Sequence, residues 1–410
     1  MRPAVADAVA GSEGSRRLPW RQTWAPKAFV SIGLLLCLAS MSARLVEFAT
    51  TPAVATGDYS ADYVAAHAAR GAGAPYDELE TLFEEHLPGE PYPVNLPPEQ
   101  RNPHSPALIA SQIPLSFLSL RTARIVWMAL SASAFVVGMV VALRGMGFSG
   151  WSSVALGTAL VATPLVQKDL MLGQSNGVSL LLLATGWLAW RRGLDRRAGI
   201  ALGVLSALRV FPALLLIPVV MARRWTIARA MVATALGVGL IGALAVGFGD
   251  VLDGLGDAWS ETAAYWSDRS GNISLTQRLP VALQAIGIGL HPPEAAVVMI
   301  GVVAATVAAA GRGPDGLWIF TGIMLLALPV VWEHYLILIL PMTVVAFCVT
   351  RFLLPSVLGA TLVWISIPPA SGVISQWEAT GFFVPTVGAA LLMAGMWRNR
   401  GALTDGRGVV

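Results

Sequence analysis

Apolar runs of close to twenty residues recur along most of the chain, separated by short polar turns and by two longer polar stretches. A run of that length is what a helix needs to cross a bilayer core of about 30 Å. The pattern predicts spans at about 29–48, 122–142, 151–166, 171–190, 226–249, 294–311, 316–331, 334–350, 353–369 and 380–397. A pair of short apolar pieces at 197–208 and 210–221 brings the expectation to about 12 passes. The longer polar stretches are 49–121 and 250–293; the first holds a half-hydrophobic piece from Pro106 to Leu120, the second a short apolar piece near its end. The first run follows Arg16, Arg17, Arg21 and Lys27, contains Arg44 and lacks a small-residue cleavage site, so it reads as an uncleaved span. The predicted fold class is therefore an all-α polytopic membrane protein.

Composition agrees with that reading. Hydrophobic residues make up 55% of the 410 residues and charged ones 12%, about half the usual charge of a soluble domain. A soluble enzyme, a disordered chain and a fibre are excluded. The basic residues sit in short clusters between apolar runs, which does not suit nucleic acid. Cys37 and Cys348 both fall in apolar runs, with no disulfide framework or metal spacing.

Lysine and arginine set the orientation, because cytoplasmic loops are enriched in them. With the N-terminus inside, alternating the loops places 18 basic and 5 acidic residues on the inner side and 9 basic and 19 acidic on the outer side. This predicts cytoplasmic tails at 1–26 and 398–410, one transmembrane domain over 27–397, and outer loops at 49–121 and 250–293. Arg196 and Arg197 precede the short pair, and Arg223 and Arg224 follow it. Both clusters are inside only if residues 198–222 go in and come back. Two full spans would take about 40 residues, so the expectation is a hairpin of short helices turning near Arg209 and Pro212. One slightly long tilted helix is the alternative.

Catalysis needs polar groups and room, which the outer loops offer. Asp58 and Asp62 lie four residues apart and share a face if their segment is helical. They suit a general base or a site for Mg²⁺ or Mn²⁺; two solvated loop acids are the alternative. Glu333 and His334 sit between two apolar runs, flanked by Trp332 and Tyr335, which also fit interface anchors. His334 can donate a proton to phosphate or hold charge beside it. Lys168, one of only two lysines, and Asp169 begin a span with Gln174 and Asn176, polar groups suited to sugar hydroxyls or to joining helices. Arg209, at the hairpin turn, can clamp a phosphate or pair with Asp169. Asn272, Ser274 and Arg278 form a further polar set in the second outer loop. No nucleotide-binding fingerprint is present, so a donor must reach the outer leaflet by itself, as a lipid-linked phosphosugar does.

In order along the chain come Gly57-Asp58-Tyr59-Ser-Ala-Asp62-Tyr63, Gly73-Ala-Pro-Tyr76, Asn102-Pro103-His104-Ser105-Pro106, Gly173-Gln174-Ser175-Asn176, Ala207-Leu208-Arg209-Val210-Phe211-Pro212 and Trp332-Glu333-His334-Tyr335. This ordered set resembles glycosyltransferases of the GT-C class, most closely glycosyltransferase family 87. The chain departs from the commonest pattern at residues 102–104, where Tyr-Pro-Pro is frequent, leaving His104 as an extra site residue.

The resemblance implies a polyprenyl-phosphate sugar donor and a glycolipid or glycan acceptor on the outer side of a bacterial plasma membrane, with the chain acting as a monomer among membrane lipids. It implies mannose transfer, with arabinofuranose transfer as the alternative. Asp58 then maps onto the catalytic aspartate and His334 onto the later histidine. The implied reaction inverts the sugar: Asp58 takes the acceptor proton while His334, Lys168 and Arg209 face the leaving phosphate. Tyr63, Tyr76 and Asp62 belong to the same motifs and count as substrate-binding candidates. The rival functions are a transporter or flippase for a polar lipid and a membrane scaffold for another enzyme. No inverted repeat is apparent, and the acids gather in an outer loop, both of which disfavour transport.

Overall fold

The computed structural model describes residues 57–92 and 99–266, residues 313–348, positions 272 and 274, and single positions within 31–46 and at 391; residues 72, 91 and 329 are not described. The spans expected at 294–311 and 353–369 lie outside the described residues, as do that at 380–397 apart from position 391, both tails and Arg278.

The described chain is mostly helical, and β pairing among its residues is limited to two isolated bridges. The helices are α1 (Gly57–Arg70), α2 (Leu79–His86), α3 (Pro106–Gln112), α4 (Leu120–Gly145), α5 (Gly150–Val161), α6 (Pro164–Leu172), α7 (Asn176–Arg191), α8 (Asp195–Leu208), α9 (Leu216–Met221), α10 (Trp225–Val246), α11 (Phe248–Trp266), α12 (Gly316–Ala327) and α13 (Leu340–Cys348). Short 3₁₀ turns cover Phe211–Leu215 and Glu333–Ile339. Helices α4 and α10 are long and apolar enough to cross a membrane. Leu236, Ile241 and Leu244 on α10 and Leu130 and Val137 on α4 are exposed. So much uncovered aliphatic surface on long apolar helices fits contact with lipid.

Local chemistry sets the helix ends. Ser105 caps α3, its hydroxyl accepting from Leu108 N at 3.2 Å, with Pro106 at the first helical position. Ser149 caps α5 in the same way. The run at 151–166 was expected to form one span. It breaks after Val161, because Pro164 suits the start of a new helix, α6, and not the interior of an old one. The run at 226–249 ends at Val246, where Gly247 takes a φ of 115° that an L side chain rarely adopts. The polar stretch after it is a 19-residue helix, α11, and not the irregular start of a loop.

Small residues show how the helices run. A Cβ on Gly138 would meet Leu180 and Leu181 backbone, and one on Gly145 would meet Trp187. Contacts that advance together make α4 and α7 parallel. Gly199 meets Ile227 and Met231, whereas Gly203 meets Met231 and Thr234, so α8 and α10 are parallel as well. Two parallel helices joined by residues 209–224 require that segment to travel back. The expected hairpin is present, although its returning limb is a 3₁₀ turn followed by the six-residue α9. Arg209 has extended backbone at the turn.

The basic turns gather at one end of the bundle. Arg191 Nη1 donates to Gly145 O at 2.8 Å, Arg224 Nη1 lies 3.4 Å from Asp195 Oδ2, and Trp187 Nε1 donates to Asp315 Oδ1 at 3.0 Å. The starts of α4 and α7 and the end of α8 lie at the opposite end. Gly199 and Gly203 form a small-xxx-small stripe that lets α8 and α10 approach closely. A Cβ at Gly203 would stand 2.5 Å from Met231 O, a backbone atom that cannot swing away. Gly203→Leu is expected to destabilise the protein by about 1–3 kcal/mol, read as a lower melting temperature in detergent, while Gly237→Ala, with open space around it, stays near wild type.

Candidate active site

Helix α1 lies across the end of the bundle away from the basic turns. Tyr59 and Tyr63 bury their rings against Leu120, Ala123 and Trp127 at the start of α4, and the Tyr63 hydroxyl donates to Leu118 O at 2.7 Å. This packing fixes Asp58, in the first turn of α1, against the loop that opens α7. Gly173 is what allows the approach. Its φ is 71°, and a Cβ there would lie 2.4 Å from Tyr59 Cβ. Trp127 Nε1 donates to Gly173 O at 2.7 Å and Ser131 Oγ to Gln174 O at 3.2 Å, so the loop is held from the α4 side too.

Gln174 therefore reaches Asp58. Its Nε2 donates to Asp58 Oδ2 at 2.6 Å. Its Oε1 accepts from Arg209 Nη2 at 2.5 Å. Arg209 also donates from Nε to Ser175 Oγ at 2.9 Å and from Nη1 to the Tyr335 hydroxyl at 3.2 Å. A continuous chain of hydrogen bonds thus runs from Asp58 through Gln174 and Arg209 to Tyr335. Burial pushes the Asp58 carboxyl above the usual aspartate range, opposed by the Gln174 hydrogen bond.

His334 stands beside that chain. It is buried, and its ring meets the Tyr335 ring edge-on at 4.9 Å. Neither ring nitrogen has a hydrogen-bond partner among the described residues, which is costly for a buried imidazole unless a ligand supplies one. The positive charges that act on it are those of Lys168 and Arg209. A strap behind it is fixed by Asn272, whose Oδ1 accepts from Val331 N at 2.9 Å and Ser274 N at 3.1 Å. Ser274 Oγ donates to Leu328 O.

A third group faces the same space. His104 Nδ1 lies 2.6 Å from Asp62 Oδ1, which also accepts from Asn102 Nδ2 at 3.0 Å. An ionised carboxylate only accepts, so this pair places the ring proton on Nδ1. Asp58, His104, Lys168, Gln174, Arg209, His334 and Tyr335 all line one cavity of roughly 420 Å³, within the ~300–1,000 Å³ of typical small-molecule sites. Apolar side chains, among them Leu79, Leu172, Phe211, Leu328 and Trp332, line the rest.

Several sequence candidates sit behind this lining. Asp169 and Asn176 are buried and bonded to each other, Asn176 Nδ2 donating to Asp169 Oδ1 at 2.7 Å, while Asn176 Oδ1 has no partner among the described residues. Asp169 therefore does not pair with Arg209 by hydrogen bond. Asp62 works through His104 and Asn102, Tyr76 donates its hydroxyl to His104 O at 3.1 Å, and Tyr63 and Asn272 hold backbone. Glu333 begins the 3₁₀ turn that carries His334. Asp58 and Asp62, offered by the sequence to a divalent cation, are bonded to different partners, and no three His, Cys, Asp or Glu side chains converge among the described residues.

Sequence reasoning missed three contributors. Ser175 was legible as a neighbour of Gln174 but not as an Arg209 partner. Ser105 Oγ ties the α3 cap to Leu208 O at 2.9 Å, beside Arg209. Trp259 on α11 lines the cavity and donates Nε1 to Pro103 O at 2.8 Å; its signal was the helical character of 248–266.

A helical bundle with two long apolar helices, and with a carboxylate, a lysine, a hydrogen-bonded arginine and a histidine unpartnered among the described residues around one cavity, defines a membrane-associated enzyme. The model of glycosyltransferase family 87 matches residues 104–331, more than half of the chain. The chain belongs to that family and is a glycosyltransferase of the GT-C class. The matched part includes Lys168, Gln174 and Arg209, with Asp58 before it and His334 just after. No curated protein matches the chain.

Proposed function

We propose that this glycosyltransferase moves a sugar, mannose, from a polyprenyl phosphate to a glycolipid or cell-envelope glycan on the outer side of a bacterial plasma membrane. The observation that carries the reading is the meeting of Asp58 with Lys168, Arg209 and His334 in one cavity. Inverting transfer needs a base for the incoming hydroxyl and positive or donor groups for the leaving phosphate. The two needs correspond to the two ends of the Asp58–Gln174–Arg209–Tyr335 chain.

Asp58 takes the acceptor proton as that oxygen attacks the anomeric carbon. The bond from that carbon to the phosphate oxygen breaks, its electron pair going to the phosphate. Lys168 and Arg209 offset the growing charge, and His334 hydrogen-bonds a phosphate oxygen. Since the basic turns mark the cytoplasmic end by the positive-inside rule, the cavity faces the outer leaflet, where a lipid-linked donor is available.

The test uses pure protein in detergent with polyprenyl-phosphate mannose and a glycolipid acceptor. Product formation without a sealed membrane supports the reading, and transport does not predict it. Activity only with polyprenyl-phosphate arabinofuranose would transfer the assignment to that sugar. The pH profile is a second check. A base must be ionised to act, and burial raises the Asp58 pKa, so activity should be lost as pH falls through a value above the ~4 of a solvated aspartate. An acid limb at or below that value would contradict a buried Asp58 base.

A further inference from the structure

The Asp62–His104 pair has no part in the transfer step above, yet it is firmly held in the cavity wall. His104 N donates to Asn102 Oδ1 at 2.9 Å, His104 O accepts from the Tyr76 hydroxyl at 3.1 Å, and the preceding carbonyl of Pro103 accepts from Trp259 at 2.8 Å. Asp62, Tyr76 and Trp259, from three other segments, thus hold Pro103 and His104 together with the neighbouring Asn102. Asp62 binds only one ring nitrogen, Nδ1. Nε2 makes no hydrogen bond among the described residues, and the ring borders the cavity that Asp58 also lines. The His104 side chain is 19% exposed against 8% for Asp62, so the ring spans from a buried carboxylate to accessible space.

Such a ring has a use once the sugar has moved. A carboxyl that has taken the acceptor proton in a protein-lined site must lose it before the next cycle. Its Oδ2 is occupied by Gln174, and the neighbouring cations suit phosphate and cannot accept a proton. We propose that His104, oriented by Asp62, carries the proton from Asp58 to the mouth of the cavity and so resets the base. The inference rests on Asp58 being that base.

The balance is simple. The acceptor O–H bond breaks as the new glycosidic bond forms, and the proton goes to Asp58. It then passes to the lone pair on His104 Nε2, leaving Asp58 ionised. Water at the mouth takes it from the imidazolium, and His104 returns to the neutral tautomer that Asp62 holds. One proton leaves for each phosphate dianion released. Asp62 is a positioning residue: it keeps the Nε2 lone pair directed at the cavity.

The consequence is kinetic. His104→Gln leaves all three backbone anchors intact, so folding should survive, but an amide does not carry a proton. At a pH above the acid limb of the wild-type profile, where Asp58 starts ionised, the first turnover should proceed at the wild-type rate. Later turnovers should slow by about 10- to 100-fold, less than the loss of a primary base, since water still exchanges slowly. The experiment is rapid-mixing transfer with the full chain in detergent, using polyprenyl-phosphate mannose and, in parallel, polyprenyl-phosphate arabinofuranose. The expected result for His104→Gln is a burst of about one product per enzyme followed by a slow phase that added imidazole accelerates. Asp62→Asn should show a smaller version of the same split.

Equal slowing of both phases would overturn the proposal in favour of a structural or acceptor-binding role, and so would an unchanged steady state. Asp58→Asn keeps the two readings apart. Its loss of both phases supports the base, whatever His104→Gln does. An active Asp58→Asn, or a wild type inactive on both donors, overturns the transfer reading and leaves His104 no proton to carry.

Discussion

Replacing Asp58 by asparagine should reduce kcat by about 10²- to 10⁴-fold, the usual contribution of a positioned base, with the donor KM within a few-fold of wild type. The substitution isolates basicity from geometry. Gln174 Nε2 donates to Asp58 Oδ2 at 2.6 Å, and an asparagine oxygen still accepts that bond, though without the help of a charge. Tyr59 and Tyr63 still pack α1 against α4, so the melting temperature should change little. The check is steady-state transfer with separate variation of donor and acceptor, alongside a thermal melt. A variant with near-normal kcat would remove Asp58 from the chemistry. A large fall in melting temperature would instead show that the carboxylate holds the structure together.

Arg209→Lys should be nearly as damaging, with kcat lower by about 10²- to 10³-fold, the scale of losing one fixed donor to a developing oxyanion. The guanidinium makes three bonds at once, to Gln174, Ser175 and Tyr335, at 2.5, 2.9 and 3.2 Å. A lysine ammonium keeps the charge but not the planar fork. Release of Gln174 also frees Asp58, so the damage reaches the base across the cavity. Arg209→Ala adds unpaired Gln174 and Ser175 oxygens and should lower the melting temperature as well. Because Gln174 couples the two ends, Arg209→Lys combined with Gln174→Leu should cost clearly less than the two single losses together. Strict additivity would mean that the hydrogen-bond chain transmits nothing. Full activity of Arg209→Lys would exclude a guanidinium-specific role at the phosphate.

Much of the architecture was readable locally. The lengths of the apolar runs are set by membrane thickness, and the arginine turns by the cost of moving charge across it. Even the short hairpin at Arg209 followed from charge, and the parallel packing of α8 on α10 shows it. The failures were also local. The 151–166 run looked continuous because a proline at a helix start and a proline in a helix interior read alike until the neighbouring turn is known. The helix α11 was hidden by its acidic and glycine content, though it supplies Trp259 to the cavity.

The site divides differently. Gly-Gln-x-Asn was visible as a motif, yet its meaning lies in Tyr59, more than a hundred residues away, whose Cβ occupies the space that a side chain at 173 would need. Asp169 and Asn176 looked as suitable for substrate as Gln174 did, and the fold buries them behind the cavity, bonded to each other. Hydrophobic length and charge placement act residue by residue, so the sequence alone determined a membrane-associated helical protein with its polar chemistry at one end. Which polar atoms remain unpaired in the cavity depends on partners from distant segments. Only the tertiary structure, by bringing residues 58, 104, 174, 209 and 334 together, decided that Asp58, His104 and His334 face it while Asp169 and Asn176 do not.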